Sequence, residues 1–142
     1  MRERIYWPIW LWSLFLILDF AVAIAIGVAL DDRQLLVLFF LLLALTIAFW
    51  WVTRLSIEVG DQTISVNRAR IQSRYIAQII ELDRVQMRHE RGQGLDPRAF
   101  MALRFWVPTG VKIILNDERD PTPYWLVSTW RAGEIKRALR IS

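Results

Sequence analysis

One acidic residue stands inside an otherwise apolar stretch, and its side chain is the most chemically distinctive in this sequence. Asp19 lies near the middle of the run from Trp7 to Leu30. An ionised carboxylate is costly in hydrocarbon, so such a residue faces a protein interior or water, or is protonated. Two interpretations stay open: a neutral acid bonded to Thr46, Ser13 or a backbone carbonyl, and a docking point for a partner helix. Proton transport is disfavoured, because two helices with one acid make a poor transporter.

The remaining reactive residue types do not form a catalytic or metal-binding set. The sequence has one histidine and no cysteine, which excludes disulfides, thiolate metal sites and cysteine nucleophiles. His89 is flanked by arginines and reads as a solvent-facing side chain. The acids Asp117, Glu118 and Asp120 fit a solvated turn better than a hard-cation loop. We therefore expect no enzyme activity, no cofactor and no metal.

Basic residues supply the second candidate for binding. Residues 53–142 hold 15 Lys and Arg against 10 Asp and Glu, a net charge of 15 − 10 = +5. Beside an anionic leaflet each basic residue contributes about 1 kcal/mol of attraction; a dispersed solvated surface is the alternative. No nucleic-acid-binding motif accompanies the charge, so nucleic acid is not an expected partner. The candidate contacts with anionic lipid are Arg54, Arg68, Arg70, Arg74 and Arg88.

Two apolar runs must position Asp19. The first extends from Trp7 to Leu30 and the second from Leu35 to Val52, and each is close to the ~20 residues that span hydrocarbon. Backbone groups in hydrocarbon must be hydrogen-bonded internally, so both runs are predicted helices. The polar turn Asp31–Gln34 is too short for anything but an antiparallel hairpin. Residues 1–52 are therefore predicted to form a transmembrane hairpin.

The placement of arginines predicts the orientation of this hairpin. Arg2 and Arg4 precede the first run and Arg54 follows the second, whereas the turn carries Arg33 against two aspartates. Loops rich in Lys and Arg stay in the cytoplasm. We expect a multi-pass plasma-membrane protein with both termini cytoplasmic and the turn outside.

Tryptophans gather at the two ends of the hairpin that meet. Indole rings favour the headgroup layer, so these side chains are predicted to anchor the hairpin at the cytoplasmic interface. A quinone or lipid site is the alternative interpretation. The residues are Trp7, Trp10, Trp12, Trp50 and Trp51.

Residues 53–142 have the alternation of a β-rich domain. Apolar and polar residues alternate in several short segments, and the tail Ala132–Ile141 has a helical pattern. Residues 84–108 read as a longer irregular segment, with a short helical turn at Pro97–Phe100. This order predicts a small, bent, pleckstrin-homology-like sheet with a C-terminal helix, and thus a membrane α+β protein. The predicted strands are 55–59, 63–67, 70–72, 76–82, 111–115 and 124–128.

Three segments carry a resemblance to a known family. They are RERIYWPIWLW at 2–12, RGQGLDPRAF at 91–100 and DPTPYWLVST at 120–129. The chain resembles an actinobacterial membrane-protein family, domain of unknown function 3093, over nearly its whole length. The resemblance implies a plasma-membrane location and two N-terminal helices, and it brings no activity, cofactor or site residue.

The sequence favours a non-enzymatic, membrane-anchored accessory protein. Its expected partners are the lipid bilayer and either a membrane protein or further copies of itself. The alternative is a sensor of lipid headgroups or small ligands, in which the β domain itself binds. An uncharacterised enzyme is the third hypothesis, and no catalytic set supports it.

Overall fold

The computed structural model describes residues 1–60 and 62–139. The chain divides into two compact units, one of residues 6–54 and one that joins residues 1–5 to the chain from Leu55 onward. The helices are α1 (Ile9–Gly27), α2 (Asp32–Thr53), α3 (Arg84–Arg91) and α4 (Ala132–Leu139), and Ser73–Tyr75 forms a 3-10 turn. The strands are β1 (Arg2–Ile5), β2 (Leu55–Val59), β3 (Thr63–Val66), β4 (Ala69–Gln72), β5 (Ile76–Leu82), β6 (Phe100–Ala102), β7 (Gly110–Leu115) and β8 (Tyr124–Ser128).

The first unit is a hairpin of two long apolar helices, as predicted. α1 begins directly after Pro8, whose missing N–H costs nothing at a helix start. α2 begins earlier than predicted because Asp31 caps it: its Oδ1 accepts from the Gln34 N–H at 2.8 Å, and Gln34 Oε1 accepts from the Asp31 N–H at 3.2 Å. Asp31–Gln34 is thus a capping box at the start of α2, and the turn lies just before it.

Both helices are long and apolar enough to cross a membrane, with mean hydropathies of 2.3 and 2.7 over their best windows. A core helix of a soluble protein would be mostly buried, whereas only 17% and 6% of these windows are buried. Gly27 lets the two helices approach closely, because a Cβ there would lie 2.8 Å from Leu35 Cδ1.

The second unit begins with a four-stranded antiparallel meander in the order β1-β2-β3-β4. β1 pairs with β2 from Arg2 opposite Glu58 to Ile5 opposite Leu55. The hairpin is therefore inserted between two adjacent strands of one sheet. The pattern of the sequence groups residues 1–5 with the helices and does not predict β1.

The second sheet has the order β5-β7-β8-β6, with β6 parallel to β8 and the other pairs antiparallel. All five residues of β8 are buried, because both faces of this strand are covered. Trp125 and Val127 join the main core, whereas Tyr124 and Leu126 join a smaller cluster around Met87 of α3.

Both sheets and α4 share the main core. It contains Ile57 and Val66 from the first sheet, Val111 and Ile113 from the second, and Ile135 from α4, each with 0% exposure. Alternation predicted these strands because every second residue faces this core. α4 packs against both β2 and β5, and the last residues of the predicted tail, 140 and 141, lie outside the described part of the chain.

The segment 84–108 is not irregular throughout, which corrects the sequence analysis. α3 begins at a capping box, in which Asp83 Oδ1 accepts from the N–H groups of Val85 and Gln86 at 2.8 Å each. β6 follows at Phe100–Ala102. The predicted helical turn at 97–100 is a tight turn instead, closed by the Ala99 N–H to the Asp96 carbonyl at 2.9 Å.

Candidate functional site

Asp19 is buried inside the hairpin, with 8% exposure, and is hydrogen-bonded to α2. The Thr46 hydroxyl donates to Asp19 Oδ2 at 2.9 Å, and Thr46 itself is 5% exposed. This is one of the predicted partners; the Ser13 hydroxyl donates instead to the Ile9 carbonyl at 3.1 Å. The pair places a polar contact between two apolar helices. Its role in docking a partner stays a prediction.

Trp7 packs between the helices at the open end of the hairpin. Its Nε1 donates to Thr53 Oγ1 at 2.8 Å, and its ring centroid lies 4.8 Å from that of Phe15 and 5.6 Å from that of Phe49. At 6% exposure it faces the protein and not its surroundings. Trp7 therefore closes the hairpin, a role that its position in the sequence alone did not distinguish from that of an interfacial anchor.

The other four tryptophans predicted as interfacial anchors divide into two groups. Trp10 and Trp51 are 53% and 67% exposed, as an interfacial ring would be. Trp12 and Trp50 are half-buried, with ring centroids 5.6 Å apart. The Arg54 guanidinium lies 4.5 Å from the Trp50 ring centroid and 4.1 Å from that of Trp51, within the range of a cation–π interaction.

The structure brings together only two of the predicted lipid-binding arginines. Arg68 and Arg70 line one polar recess of about 130 Å³ on the outward face of the first sheet. Arg74 lies against Tyr75, 4.7 Å from its ring centroid, and lines a different recess. Arg88 is exposed on α3.

A buried carboxylate ties β1 to the segment before α4, and sequence reasoning missed it. Glu3 is 7% exposed; its Oε2 accepts from the Thr129 hydroxyl, and its Oε1 accepts from the Trp130 N–H at 3.1 Å. Thr129 Oγ1 in turn accepts from the Arg131 N–H at 3.0 Å. The only signal in the sequence is that Glu3 and Ile5 are two residues apart, so both lie on the inward side of a very short strand.

A second unpredicted group of polar contacts centres on Ser128. Arg91 Nη2 donates to the Val107 carbonyl at 2.7 Å and to Ser128 Oγ at 2.9 Å, and Ser128 Oγ accepts from the Arg104 N–H at 3.0 Å. Burial lowers the pKa of both Arg91 and Arg104 from the ordinary arginine value. These contacts tie the end of α3 to β8 and to the segment at 104–107.

Tyr124 and Lys112 form further polar contacts that were not predicted. The Tyr124 hydroxyl accepts from the Asp96 N–H at 2.8 Å and donates to the Gly94 carbonyl at 3.2 Å. Lys112 Nζ lies 2.8 Å from Glu90 Oε2 and 4.3 Å from the centroid of the Tyr124 ring. Among residues 1–60 and 62–139, no group of three or more His, Cys, Asp or Glu is arranged to hold a metal ion.

A scan against protein-family models matches residues 1–139 to the family described as Protein of unknown function (DUF3093). The chain belongs to this family. No curated protein and no solved structure matches it. The resemblance to DUF3093 is thus confirmed, and the family description brings no activity, organism or location.

In this DUF3093 chain, the third of the segments that carry the resemblance contacts each of the other two within the β domain. Glu3 of the first segment binds Thr129 of the third. Arg91 of the second binds Ser128 of the third, and Phe100 pairs with Trp125 across β6 and β8. Two of the polar contacts that sequence reasoning missed, Glu3 with Thr129 and Arg91 with Ser128, therefore join these segments.

Proposed function

We propose that this protein is a non-enzymatic, membrane-anchored accessory protein. Its hairpin spans the plasma membrane, both termini and the β domain lie in the cytoplasm, and the hairpin docks a membrane-protein partner or another copy. The observation that carries the proposal is the insertion of the hairpin between β1 and β2, which pair in register from Arg2 opposite Glu58 to Ile5 opposite Leu55.

This strand pairing supports a single-sided topology. Three residues separate Ile5 from the start of α1, and one residue separates the end of α2 from Leu55. Because Ile5 and Leu55 are paired in one sheet, both ends of the hairpin must lie on the same side of a bilayer. An even number of spans between two paired strands meets this requirement. The arginines at both ends then favour the cytoplasm for that side.

The outward surface of the hairpin supports insertion in hydrocarbon. Ile17, Phe20 and Phe40 are 67%, 61% and 63% exposed. Soluble proteins rarely leave such large contiguous apolar surfaces in water. Lipid or a partner helix covers them at no cost.

Asp19 supports a partner in the membrane. One carboxyl oxygen accepts from Thr46, and within residues 1–60 and 62–139 no hydrogen bond is present to the other. A polar group in hydrocarbon without a partner is costly, so a donor from a neighbouring helix stabilises it. A hydroxyl, an amide or a basic side chain on that helix meets the need.

A pleckstrin-homology-like domain and headgroup sensing form the second candidate. The packing of α4 against β2 and β5 supports a sheet closed by its terminal helix. The parallel pair β6–β8 counts against a pleckstrin-homology-like fold, and that fold stays a prediction. The arginine-lined recess on the first sheet favours a ligand with negative charge.

Cysteine labelling tests the topology, because the native chain has no cysteine to give background. Ala29→Cys lies in the turn between the helices, and Gln93→Cys lies on the exposed surface of the β domain. A membrane-impermeant maleimide is expected to label the Ala29→Cys variant in intact cells and the Gln93→Cys variant only in inverted vesicles. Labelling of both from one side rejects the hairpin topology.

Crosslinking with mass spectrometry on native membranes tests docking. Wild type is compared with Asp19→Ala and with Thr46→Val, which removes the internal hydrogen bond and keeps the acid. A partner captured by wild type and Thr46→Val but lost in Asp19→Ala supports docking through the carboxyl group. Equal loss in both variants assigns Asp19 to hairpin packing, and recovery of lipid alone from wild type rejects docking.

A further inference from the structure

The outward face of the first sheet is polar and carries unpaired positive charge. Successive residues alternate between this face and the core, so Arg4, Ser56, Ser65 and Arg70 all point outward, opposite the buried Ile57 and Val66. The register places Arg4 opposite Ser56 and Ser65 opposite Arg70. We call the surface formed by Arg4, Ser56, Ser65, Arg68 and Arg70 the basic face.

Negative charge on this surface is already paired. Glu58 Oε1 lies 2.8 Å from Arg2 Nε, so these two side chains neutralise each other. Arg4, Arg68 and Arg70 form no ion pair within residues 1–60 and 62–139. The basic face therefore has a net charge of about +3 at neutral pH, because arginine stays protonated.

The recess within the basic face presents donors from three strands and a turn. Arg68 and Arg70 line it, around a volume of about 130 Å³, together with Ser56, Glu58, Ser65, Asn67 and Ala69. The Glu58 carboxylate among them is the one paired with Arg2. Arg70 Nε donates to Ser65 Oγ at 3.2 Å, which fixes that guanidinium and leaves its terminal nitrogens for a ligand. A planar guanidinium group donates two parallel hydrogen bonds to two oxygen atoms of one phosphate group.

The turn that carries Arg68 is fixed to the strand that follows the hairpin. Asn67 has a φ of 54°, a left-handed conformation that asparagine tolerates. Its N–H donates to the Ser56 carbonyl at 2.8 Å, and its Oδ1 accepts from the Ser56 N–H at 3.0 Å.

The position of Arg68 along the sheet follows from this attachment. Ser56 is one residue from Leu55 and opposite Arg4. Arg4, Asn67 and Arg68 thus lie at the end of the sheet where the chain enters and leaves the helices.

We propose that the basic face binds the phosphate-bearing headgroup of an anionic phospholipid, with Arg68 and Arg70 on the phosphate oxygens and Arg4 adding charge. The inference rests on the proposed function, since it needs the hairpin in a bilayer. Two observations carry it: the unpaired charge of the recess, and its location at the end of the sheet joined to the helices. A phosphatidylglycerol headgroup supplies the matching charge, and a phosphatidylcholine headgroup does not.

The test uses the full chain in nanodiscs, with an environment-sensitive fluorophore on Gln72→Cys, an exposed position beyond Arg70 on β4. The readout is protection of the fluorophore from acrylamide, a neutral quencher. Protection is expected to grow as phosphatidylglycerol replaces phosphatidylcholine and to fall at high salt, where the screening length shortens. The double change Arg68→Ala with Arg70→Ala is expected to lower the docked-to-free ratio about 25-fold, about fivefold per arginine.

Matched controls separate this site from general charge. Arg84→Ala with Arg119→Ala removes two exposed arginines elsewhere on the domain and is expected to leave protection unchanged. Arg68→Lys with Arg70→Lys is expected to retain most of it. Circular dichroism spectra and melting curves check that each variant folds. A loss of protection is assigned to the binding site only for variants whose curves agree with those of the wild type.

Four results overturn the inference. Protection that does not depend on phosphatidylglycerol, or that both arginine pairs reduce equally, rejects the basic face as a headgroup site. Equal protection from inorganic phosphate in phosphatidylcholine nanodiscs assigns the recess to free phosphate. Failure of the chain to enter nanodiscs rejects the proposed function as well, which distinguishes it from the other three results.

Discussion

The hairpin and the β domain have opposite distributions of polar and apolar side chains. In the hairpin, Ile17 is 67% exposed while Asp19 and Thr46 are buried. In the β domain, Ile57 and Ile113 have 0% exposure while Arg68 and Arg70 are outside. A chain minimises its free energy by turning its apolar groups away from water. The contrast supports the proposal that the hairpin lies in lipid and the β domain in water.

The same contrast assigns different sources of stability. The β domain gains from burial of apolar area, about 25 cal/mol per Å². Apolar helices in lipid gain nothing of that kind from each other, and they rely on close packing and interhelical hydrogen bonds. Gly27 against Leu35 and Thr46 with Asp19 supply these two contributions.

Removing the hairpin is the strongest way to test the comparison. Ile5 and Leu55 are opposite each other in an antiparallel pair, so an Asn-Gly turn in place of residues 6–54 suits the connection. We expect this joined chain to fold in water without detergent. A chain that starts at Leu55 lacks β1 and is expected to be less stable by about 3 kcal/mol or more, from loss of a buried isoleucine and of hydrogen bonds to a carboxylate.

Urea unfolding of the two soluble chains measures the difference. Equal stability would show that β1 contributes nothing to the domain. Aggregation of the joined chain, with the shorter chain soluble, would contradict the division of the molecule at Ile5 and Leu55.

Truncation of one isoleucine in each unit gives the next largest difference. Ile113→Ala, in the core, is expected to cost about 2–5 kcal/mol because it leaves a cavity. Ile17→Ala, on the outward face of α1, is expected to change stability by less than about 0.5 kcal/mol. Thermal unfolding of the full chain in a mild detergent compares them, and similar losses would reject the assignment of solvents.

The polar contact within the hairpin has a smaller expected effect. Thr46→Val removes the hydroxyl that donates to Asp19 and keeps the shape, so the expected cost is about 0.6 kcal/mol and at most about 1.7. Thr46→Ser retains the donor and serves as the control. Fluorescence energy transfer between the two helices measures their separation as a denaturing detergent is added. A valine variant more stable than the wild type would contradict the prediction.

The smallest effect concerns a contact at the surface of the β domain. Hydrogen bonds from the Arg98 side chain and backbone hold the pKa of Asp96 below its ordinary value. The contact is therefore formed above the unfolded pKa of aspartate and is lost as pH falls through the lower, folded value. Arg98→Ala is expected to raise the pKa of Asp96 towards normal in a carboxyl-carbon NMR titration. An unchanged titration would assign the shift to the backbone hydrogen bond alone.

Period and composition were sufficient to predict the long or strongly alternating elements. The two apolar runs, β2, β5 and β8 all have patterns that depend on nearby residues alone. α3 was missed although Asp83 and Gln86 form a visible capping signature, because only two apolar residues, Val85 and Met87, mark its pattern.

β1 and its buried acid were beyond such reasoning. Arg2–Ile5 is four residues long, and three of the four are charged. It lies directly before an apolar run, where basic residues have another explanation. Its pairing partner follows 50 residues later in the chain, and Glu3 binds residues more than 120 positions away. Local propensity carries no information about contacts at that separation. For the same reason, Arg68 and Arg70 were predicted with three other arginines that do not share their recess.

The insertion of two helices between β1 and β2 also imposes an order on biosynthesis. The first strand leaves the ribosome before either helix, and its partner emerges only after both are complete. Until then Glu3 and Ile5 have no sheet to join. In the proposed topology, failure of the second helix to return across the bilayer would leave Ile5 and Leu55 in different compartments, and the sheet could not close. Completion of the β domain would then report correct insertion, and a chain with the wrong topology would expose an open strand edge to cellular proteases.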